Sequence, residues 1–173
     1  MILPYDEPPV VRQPAACHPG APTAWRARRR PLRRLHGQAT AAVWSDHLWS
    51  LDPPVAGSLP GAVWLASRVH VDSFRDLPAE ALADFGSIAA AVERAVYSLG
   101  EVGRVHLYRW GDGGAHFHVW FLPRPLGTRD ARNMMLSLWE DILPNVPDEE
   151  LWEAAERVAV ALEKERPHAD RAV

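Results

Sequence analysis

The sequence predicts an α+β domain in which an antiparallel sheet is joined by a crossover helix and followed by C-terminal helices. Two observations predict this class. Two pairs of short apolar runs, typical of strands, flank one long amphipathic segment at 78–99, and two further amphipathic segments follow. A chain of 173 residues with a hydrophobic fraction of 47% is also long and apolar enough to bury one core.

The composition excludes several classes of protein. A single cysteine, Cys17, cannot form an intramolecular disulfide or a zinc site built on paired cysteines. No apolar run reaches the roughly 18 to 20 residues that cross a bilayer, and residues 1–10 lack the basic start and apolar stretch of a signal peptide. The sequence therefore predicts a soluble, cytoplasmic protein with no membrane partner.

The basic residues are concentrated near the start of the chain. Residues 1–40 carry seven arginines against two carboxylates, whereas the whole chain has a formal net charge of −3. We therefore expect a Pro/Arg-rich arm at 1–40, one folded domain at 41–165 and a tail at 166–173. A solvated or internally paired arginine run is favoured over one that binds polyphosphate or nucleic acid, because the rest of the chain is acidic. The run comprises Arg26, Arg28, Arg29, Arg30, Arg33 and Arg34.

Two strands are expected before the long helix. Residues 42–51 combine aromatic and β-branched side chains and predict one strand, and residues 62–68 predict a second. Residues 52–61 between them contain several prolines and glycines and predict a loop. The two strands are expected to pair across that loop.

Residues 78–99 predict the crossover helix. Pro78 suits the first helical position, and Gly100 suits a left-handed stop. Apolar residues at helical spacing predict the face that docks on the sheet, whereas Asp84 and Glu93 are expected to face away from the core. The apolar stripe consists of Leu82, Phe85, Ala89, Val92, Val96 and Leu99.

Residues 102–110 and 115–122 predict a β-hairpin, because two alternating runs are separated by a short glycine-rich connection. Two helices are expected after it, at 129–143 and 148–162, with prolines between them. In the first helix the residues predicted to point inward are Met135, Leu138, Trp139 and Ile142. In the second they are Leu151, Ala155, Val158 and Leu162.

The second strand of this hairpin carries the side chains with the richest chemistry. Alternation places His116, His118 and Trp120 on one face and apolar residues on the other, which should face the core. Gly113 and Gly114 precede them and would let backbone N–H groups approach an anion. Imidazoles in this setting suit nucleotidyl transfer or anion binding. Pattern alone favours a plainer interpretation, in which the histidines are half-buried cross-strand neighbours or metal ligands without chemistry.

Residues 112–124, which include the run GGAHFHVWFLPR, resemble the motif of the histidine triad (HIT) family, in which histidines alternate with apolar residues. The run PGAVWLASRVH at 60–70 resembles the family's strand that ends in a basic residue, a spacer and a histidine. Residues 77–96 resemble its crossover helix. The resemblance covers roughly residues 40–125 and implies a HIT-like antiparallel sheet.

The resemblance also implies roles for individual residues. His118 matches the histidine that attacks the α-phosphorus of a nucleotide, and His116 matches the first histidine of the triad, which orients or hydrogen-bonds beside it. Gly113 and Gly114 match the backbone approach to the phosphates. Asp52 resembles an acidic residue that binds the ribose hydroxyls.

Two residues depart from the family's pattern. Trp120 stands in place of the third histidine and Ala62 in place of a fourth, and losing imidazoles that stabilise phosphate charge lowers the catalytic rate. Trp120 is expected to stack on a base or sugar or to fill the space. Arg124 or the arginine run is a candidate source of the missing charge. His70 matches a scaffold position of the family.

The function implied by the resemblance is that of a phosphohydrolase or nucleotidyl transferase acting through a nucleotidyl-histidine. Its substrate would be an adenosine polyphosphate, a dinucleoside polyphosphate or a phosphoramidate. The alternative is a catalytically inactive module that binds nucleotides or proteins. The family also implies a homodimer. No cofactor is expected, and no metal site is predicted because His116 and His118 lack a third convergent ligand in the local sequence.

Further aromatic residues are candidates for the site. His106, Tyr108 and Trp110 share one face of a predicted strand, where packing is favoured over lining a nucleotide pocket. His47 and Trp49 are similar candidates for a wall against the base.

Overall fold

The computed structural model describes residues 42–110 and 116–167. Within these residues the chain forms a five-stranded antiparallel sheet of order β1-β2-β3-β5-β4. The strands are β1 (Trp44–Ser45), β2 (Trp49–Asp52), β3 (Val63–Ser67), β4 (Val102–Tyr108) and β5 (His118–Pro125). The helices are α1 (Ala79–Tyr97), α2 (Met135–Ile142) and α3 (Asp148–Glu165). The predicted α+β class is confirmed, with α1 as the crossover helix and β4 and β5 as the predicted hairpin pair.

None of the helices in the described ranges combines the length and apolar character that crossing a bilayer requires.

The segment predicted as one strand at 42–51 is instead two short strands, β1 and β2, which pair antiparallel. Asp46 causes the bend between them, because its Oδ1 accepts hydrogen bonds from the backbone N–H groups of Leu48 and Trp49 at 2.8 and 2.7 Å. An aspartate side chain that accepts hydrogen bonds from the backbone N–H groups two and three residues later stabilises a turn and interrupts strand pairing. β2 then pairs with β3 across the predicted loop, as expected.

The two faces of the sheet are covered differently. On the core face, alternate residues of the central strands pack with α1 and α3 in one apolar core. These residues are Trp49, Leu51, Val63, Leu65, Val119 and Phe121. The opposite face, which we call the outer face, carries His118 and Trp120. Leu136 of α2 packs over one part of the outer face, against Leu122.

α1 and α3 fill the core largely as predicted. The four inward residues predicted for α3 are all buried, and so are Val92 and Val96 of α1. Leu82 is an exception, since it is 45% exposed, while Ala81 and Ile88 take interior positions. Because both the sheet and α3 pack against α1, its buried face is set by two partners and differs from the stripe that one partner would select.

α2 departs further from its prediction. The helix begins at Met135, six residues later than expected, and its fully buried residue is Leu136, which was not predicted to point inward. Leu138 and Ile142 are 38% and 41% exposed. Trp139, which was predicted to point inward, is half-buried and packs against the same small cluster around Leu122, so α2 contacts this cluster rather than a full sheet face.

Asp84, expected to face away from the core, instead lies against it. The indole of Trp49 is fully buried and donates a hydrogen bond to Asp84 Oδ2 at 2.9 Å. The Arg166 guanidinium donates to both carboxylate oxygens of Asp84 at 3.0 Å and pairs with Asp46 at 3.2 Å. A buried indole N–H requires an acceptor, and Asp84 supplies it from α1.

Replacing Asp84 by alanine should lower the free energy of unfolding by about 2 to 3 kcal/mol, because the buried Trp49 indole and Arg166 would lose their acceptor. Urea unfolding measures this difference. Glu80→Ala is the matched control, because Glu80 is on the same helix as Asp84 and its ion pair with His47 is exposed. This substitution should lower the free energy of unfolding by less than about 0.5 kcal/mol. Equal costs for the two substitutions would contradict the role given to Asp84.

Candidate functional site

His118 begins β5 on the outer face, where its partner on β3 is Ala66. Its Nδ1 lies 3.0 Å from the backbone carbonyl oxygen of His116. A carbonyl oxygen can only accept, so Nδ1 carries the proton and donates it. In the neutral imidazole the lone pair is then on Nε2, which is the tautomer suited to nucleophilic attack.

Phe117 holds the two histidines on the outer face by pointing the other way. Its side chain is fully buried, its N–H donates to Val71 O at 2.7 Å, and its carbonyl accepts from Ser67 N at 3.1 Å. The ring lies 4.7 Å from the Phe74 ring and 5.2 Å below the Arg109 guanidinium. The predicted alternation is therefore confirmed, with Phe117, Val119 and Phe121 in the core.

The imidazole rings of His116 and His70 contact each other next to His118. Their Nδ1 atoms are 3.3 Å apart, so one ring donates to the lone pair of the other. Burial lowers the pKa of His116 below its ordinary value, and the nearby His70 and His118 act in the same direction, whereas a hydrogen bond with the Ser67 backbone opposes them. His70, predicted as a scaffold residue, is thus in direct contact with a candidate site residue.

Two indoles flank the His118 ring. The Trp64 ring is 5.5 Å from it at an interplanar angle of 79°, and the Trp120 ring is 6.3 Å from it at 81°. The two indoles are 6.3 Å apart. Trp64 donates its indole N–H to the Pro53 carbonyl at 3.1 Å, which fixes its orientation. Sequence reasoning missed Trp64, although its position between two core residues of β3 placed it on the same face as the histidines.

Asp52 shares the outer face with these residues. The register pairs Asp52 with Trp64, Trp64 with Trp120, and Trp120 with Tyr108, so these four side chains form one row across four strands. Asp52 accepts a hydrogen bond from the Ser50 hydroxyl at 3.2 Å. The row places a carboxylate at one end and aromatic rings towards the other, with His118 in contact with the two indoles in the middle.

Ala62, which stands where the resembling family has a histidine, is only 1% exposed. It packs in an apolar cluster with Leu59, Leu122, Ala131 and Leu136, and Tyr108, Trp120 and Trp139 pack against that cluster. The space next to Trp120 is therefore filled by hydrocarbon rather than by a group that carries charge.

α2 and the segment that follows it are held over this cluster by hydrogen bonds with the loop between β2 and β3. Glu140 accepts a hydrogen bond from the Ser58 N–H at 3.2 Å, and the Val146 N–H donates to the Gly57 carbonyl at 2.9 Å. Burial raises the pKa of Glu140, and the Ser58 N–H opposes that shift. These contacts keep α2 close to Trp120 and define one wall of the outer face.

The aromatic stripe on β4 also faces this side of the sheet. The His106 and Tyr108 rings are 6.0 Å apart with a 14° angle between their planes, and the Tyr108 and Trp110 rings are 5.0 Å apart at 5°. Burial, together with Arg124 and Arg104 nearby, lowers the pKa of His106. The stripe therefore lies next to Trp120 rather than in the apolar core.

Other candidates are not brought to His118. Arg124 lies six residues along β5, a span of about 20 Å, and donates to the Thr128 carbonyl at 3.2 Å. Trp49 is on the core face and fully buried, so the prediction that it lines a base-binding wall is wrong. His47 is exposed and contacts Glu80 at 3.2 Å.

Some predicted residues lie outside the described residues. They are Gly113, Gly114 and the arginine run at 26–34. Within residues 42–110 and 116–167, no cluster of three or more His, Cys, Asp or Glu side chains is arranged to hold a metal ion.

No protein-family model matches the chain. No curated protein matches its sequence significantly. Solved structures match the fold. A histidine triad protein from Marinobacter aquaeolei superposes with a TM-score of 0.55 at 16% identity, over 72% of this chain and 89% of that chain.

The chain has the histidine triad fold. A HIT-like protein from Bartonella henselae, described as involved in cell-cycle regulation, matches with a TM-score of 0.54 at 17% identity, over 70% of this chain and 85% of that one. A hypothetical histidine triad nucleotide-binding protein from Sulfolobus tokodaii matches with a TM-score of 0.54 at 14% identity, over 71% and 83% of the two chains. At these identities the likeness establishes the HIT-like fold, whereas residue roles depend on the geometry of the site.

The lowered pKa of His116 predicts a specific loss of stability in acid. A histidine whose folded-state pKa lies below its ordinary value of 6.5 binds more protons when unfolded, so stability is complete above that value and falls as the pH drops through it. His116→Gln should reduce the loss of unfolding free energy between pH 7.5 and pH 5, measured by urea unfolding. A loss as large as that of the wild-type protein would contradict the assignment.

Proposed function

We propose that the chain is a HIT-like phosphohydrolase or nucleotidyl transferase in which His118 is the nucleophile. The observation that carries this proposal is the hydrogen bond from His118 Nδ1 to the His116 carbonyl oxygen at 3.0 Å. It sets the tautomer and fixes the plane of the ring, so that Nε2 offers its lone pair in a constant direction.

In the proposed reaction Nε2 attacks the α-phosphorus of an adenosine phosphate. The N–P bond forms while the bond from phosphorus to the leaving group breaks, and the leaving group departs with the electron pair. A water molecule then attacks the same phosphorus, the N–P bond breaks and the lone pair returns to Nε2. The water's proton passes to solvent or to a nearby imidazole. Transfer to another acceptor would follow the same course with that acceptor in place of water.

The neighbouring residues support binding of such a substrate. Asp52 lies on the outer face two strands from His118 and is the proposed partner of the ribose hydroxyls. Of the paired rings of His116 and His70, the one that accepts at Nδ1 carries its proton on Nε2, and that N–H group can donate a hydrogen bond to a phosphate oxygen beside His118. Trp120 and Trp64 offer flat apolar surfaces for the parts of the substrate that carry no charge.

A second function, nucleotide binding without turnover, is favoured by one observation. The two side chains in ring contact with His118 on β3 and β5, Trp64 and Trp120, are indoles, which donate a hydrogen bond but neither carry charge nor release a proton. A site of this composition can hold a ligand while stabilising the transition state only weakly.

The test is the effect of His118→Ala on turnover of adenosine phosphoramidates and dinucleoside polyphosphates. Turnover should fall at least a hundredfold, because the covalent route needs the imidazole. Mass spectrometry of the wild-type protein after a brief incubation should show an adenylyl adduct on the peptide that contains His118. His47→Ala is the control, since that exposed histidine pairs with Glu80 away from the site.

The outcomes separate the two functions. Unchanged turnover in His118→Ala would rule out the proposed mechanism. Binding of nucleotides by calorimetry with no turnover and no adduct would establish the binding module in its place.

The homodimer implied by the family resemblance stays a prediction. β4 lies at one edge of the sheet, where its outer backbone groups have no partner strand among the described residues. Such an edge suits pairing with a second copy. Sizing chromatography should give a species of twice the chain's mass, and elution as a monomer at micromolar concentration would contradict the prediction.

A further inference from the structure

The outer face continues from His118 onto β4 as a ladder of three rings, formed by His106, Tyr108 and Trp110. The last two rings are nearly parallel, at 5° and 5.0 Å, and Trp110 at the open end is 49% exposed. The Tyr108 hydroxyl donates to the Asn133 carbonyl, close to the start of α2. The ladder is therefore held in place while its last indole remains available to solvent.

The strand register places this ladder beside Trp120. Tyr108, the last paired residue of β4, lies opposite Trp120, whose ring is 6.3 Å from that of His118, and Trp110 stacks on Tyr108. Asp52 lies on the other side of His118, beyond β3. His118 thus stands between a carboxylate side and an aromatic side of the same face.

We propose that Tyr108 and Trp110 form a subsite that stacks on a planar aromatic ring in the departing group of the substrate. This inference rests on the proposed function. The departing group leaves the phosphorus opposite Nε2, and with the ribose bound towards β2 at Asp52, the part of the outer face left for the departing group is the β4 side. There it meets an exposed indole whose orientation is already fixed by stacking, so little side-chain entropy is lost when a ring binds.

The site also favours a departing group that leaves without being protonated, as an aryl oxide does. The indoles of Trp64 and Trp120, which are in ring contact with His118, cannot supply a proton to a departing oxygen, and burial, which lowers the pKa of His116, disfavours the protonated form of that imidazole. A phenol-type oxygen has a pKa of about 10 and departs as the anion far more readily than an alkoxide. When Nε2 bonds to phosphorus and the bond from phosphorus to the aryl oxygen breaks, the aryl oxide keeps the electron pair and takes a proton later from solvent.

Two diesters test the subsite directly, adenosine 5′-phenylphosphate and adenosine 5′-methylphosphate. Their affinities are measured by calorimetry on the His118→Ala variant, in which the proposed covalent step cannot consume them. The phenyl ester should bind about tenfold more tightly than the methyl ester, as expected for one ring stacked on an aromatic side chain. Adding Trp110→Ala should abolish this preference, and so should Trp110→Leu, which keeps an apolar side chain but removes the flat ring.

Leu107→Ala is the matched control. Leu107 is 44% exposed on the same strand but belongs to the opposite face, so its removal should leave the phenyl preference intact. Equal affinities for the two esters, no binding of either one, or a preference that survives both Trp110 substitutions would overturn the subsite.

Turnover by proteins that retain His118 separates this inference from the proposed function. If the phenyl preference in binding depends on Trp110 but neither ester is turned over, the subsite stands and the transfer chemistry is wrong. If the esters are turned over and Trp110→Ala changes the kcat/KM of neither one, the transfer chemistry stands and the subsite is wrong.

Discussion

The burial of Phe117 is the constraint on which the site depends. Its ring packs against the rings of Trp49 and Phe74, and its backbone N–H and carbonyl both form hydrogen bonds with the segment in and after β3. Because neighbouring residues of an extended chain point in opposite directions, anchoring Phe117 in the core forces His116 and His118 outward. The same geometry brings the His116 carbonyl to His118 Nδ1, so one buried residue sets both the direction and the tautomer of His118.

The side chains of the outer face change from polar on β2 to aromatic on β4. Asp52 stands towards one edge, the histidines and two indoles occupy the centre, and the Tyr108 and Trp110 rings lie towards the other edge. The apolar cluster around Ala62 fills the space where a further charged group would have to stand. A face of this composition offers flat aromatic surface rather than positive charge next to His118, because an indole cannot neutralise a phosphate.

A network of polar contacts on the core side fixes the position of the strands that carry the outer face. Asp84 ties β2 to α1 through the Trp49 indole, and Arg166 extends the same network to the bend at Asp46. These contacts lie on the core side, so they stabilise the strands without occupying the outer face. The likeness to solved HIT-like proteins at 14% and 17% identity shows how far side chains can change while such a framework persists.

The sequence by itself determined the α+β class, the crossover helix, the hairpin and the face on which His116, His118 and Trp120 lie, because these follow from local periodicity and turn chemistry. Only the tertiary structure decided the contacts between segments distant in sequence. Trp64 reaches His118 through strand pairing, Asp84 turns inward because a buried indole needs an acceptor, and Leu136 rather than Leu138 meets the sheet. Periodicity defines one face of each element, whereas register and the number of packing partners decide what that face touches.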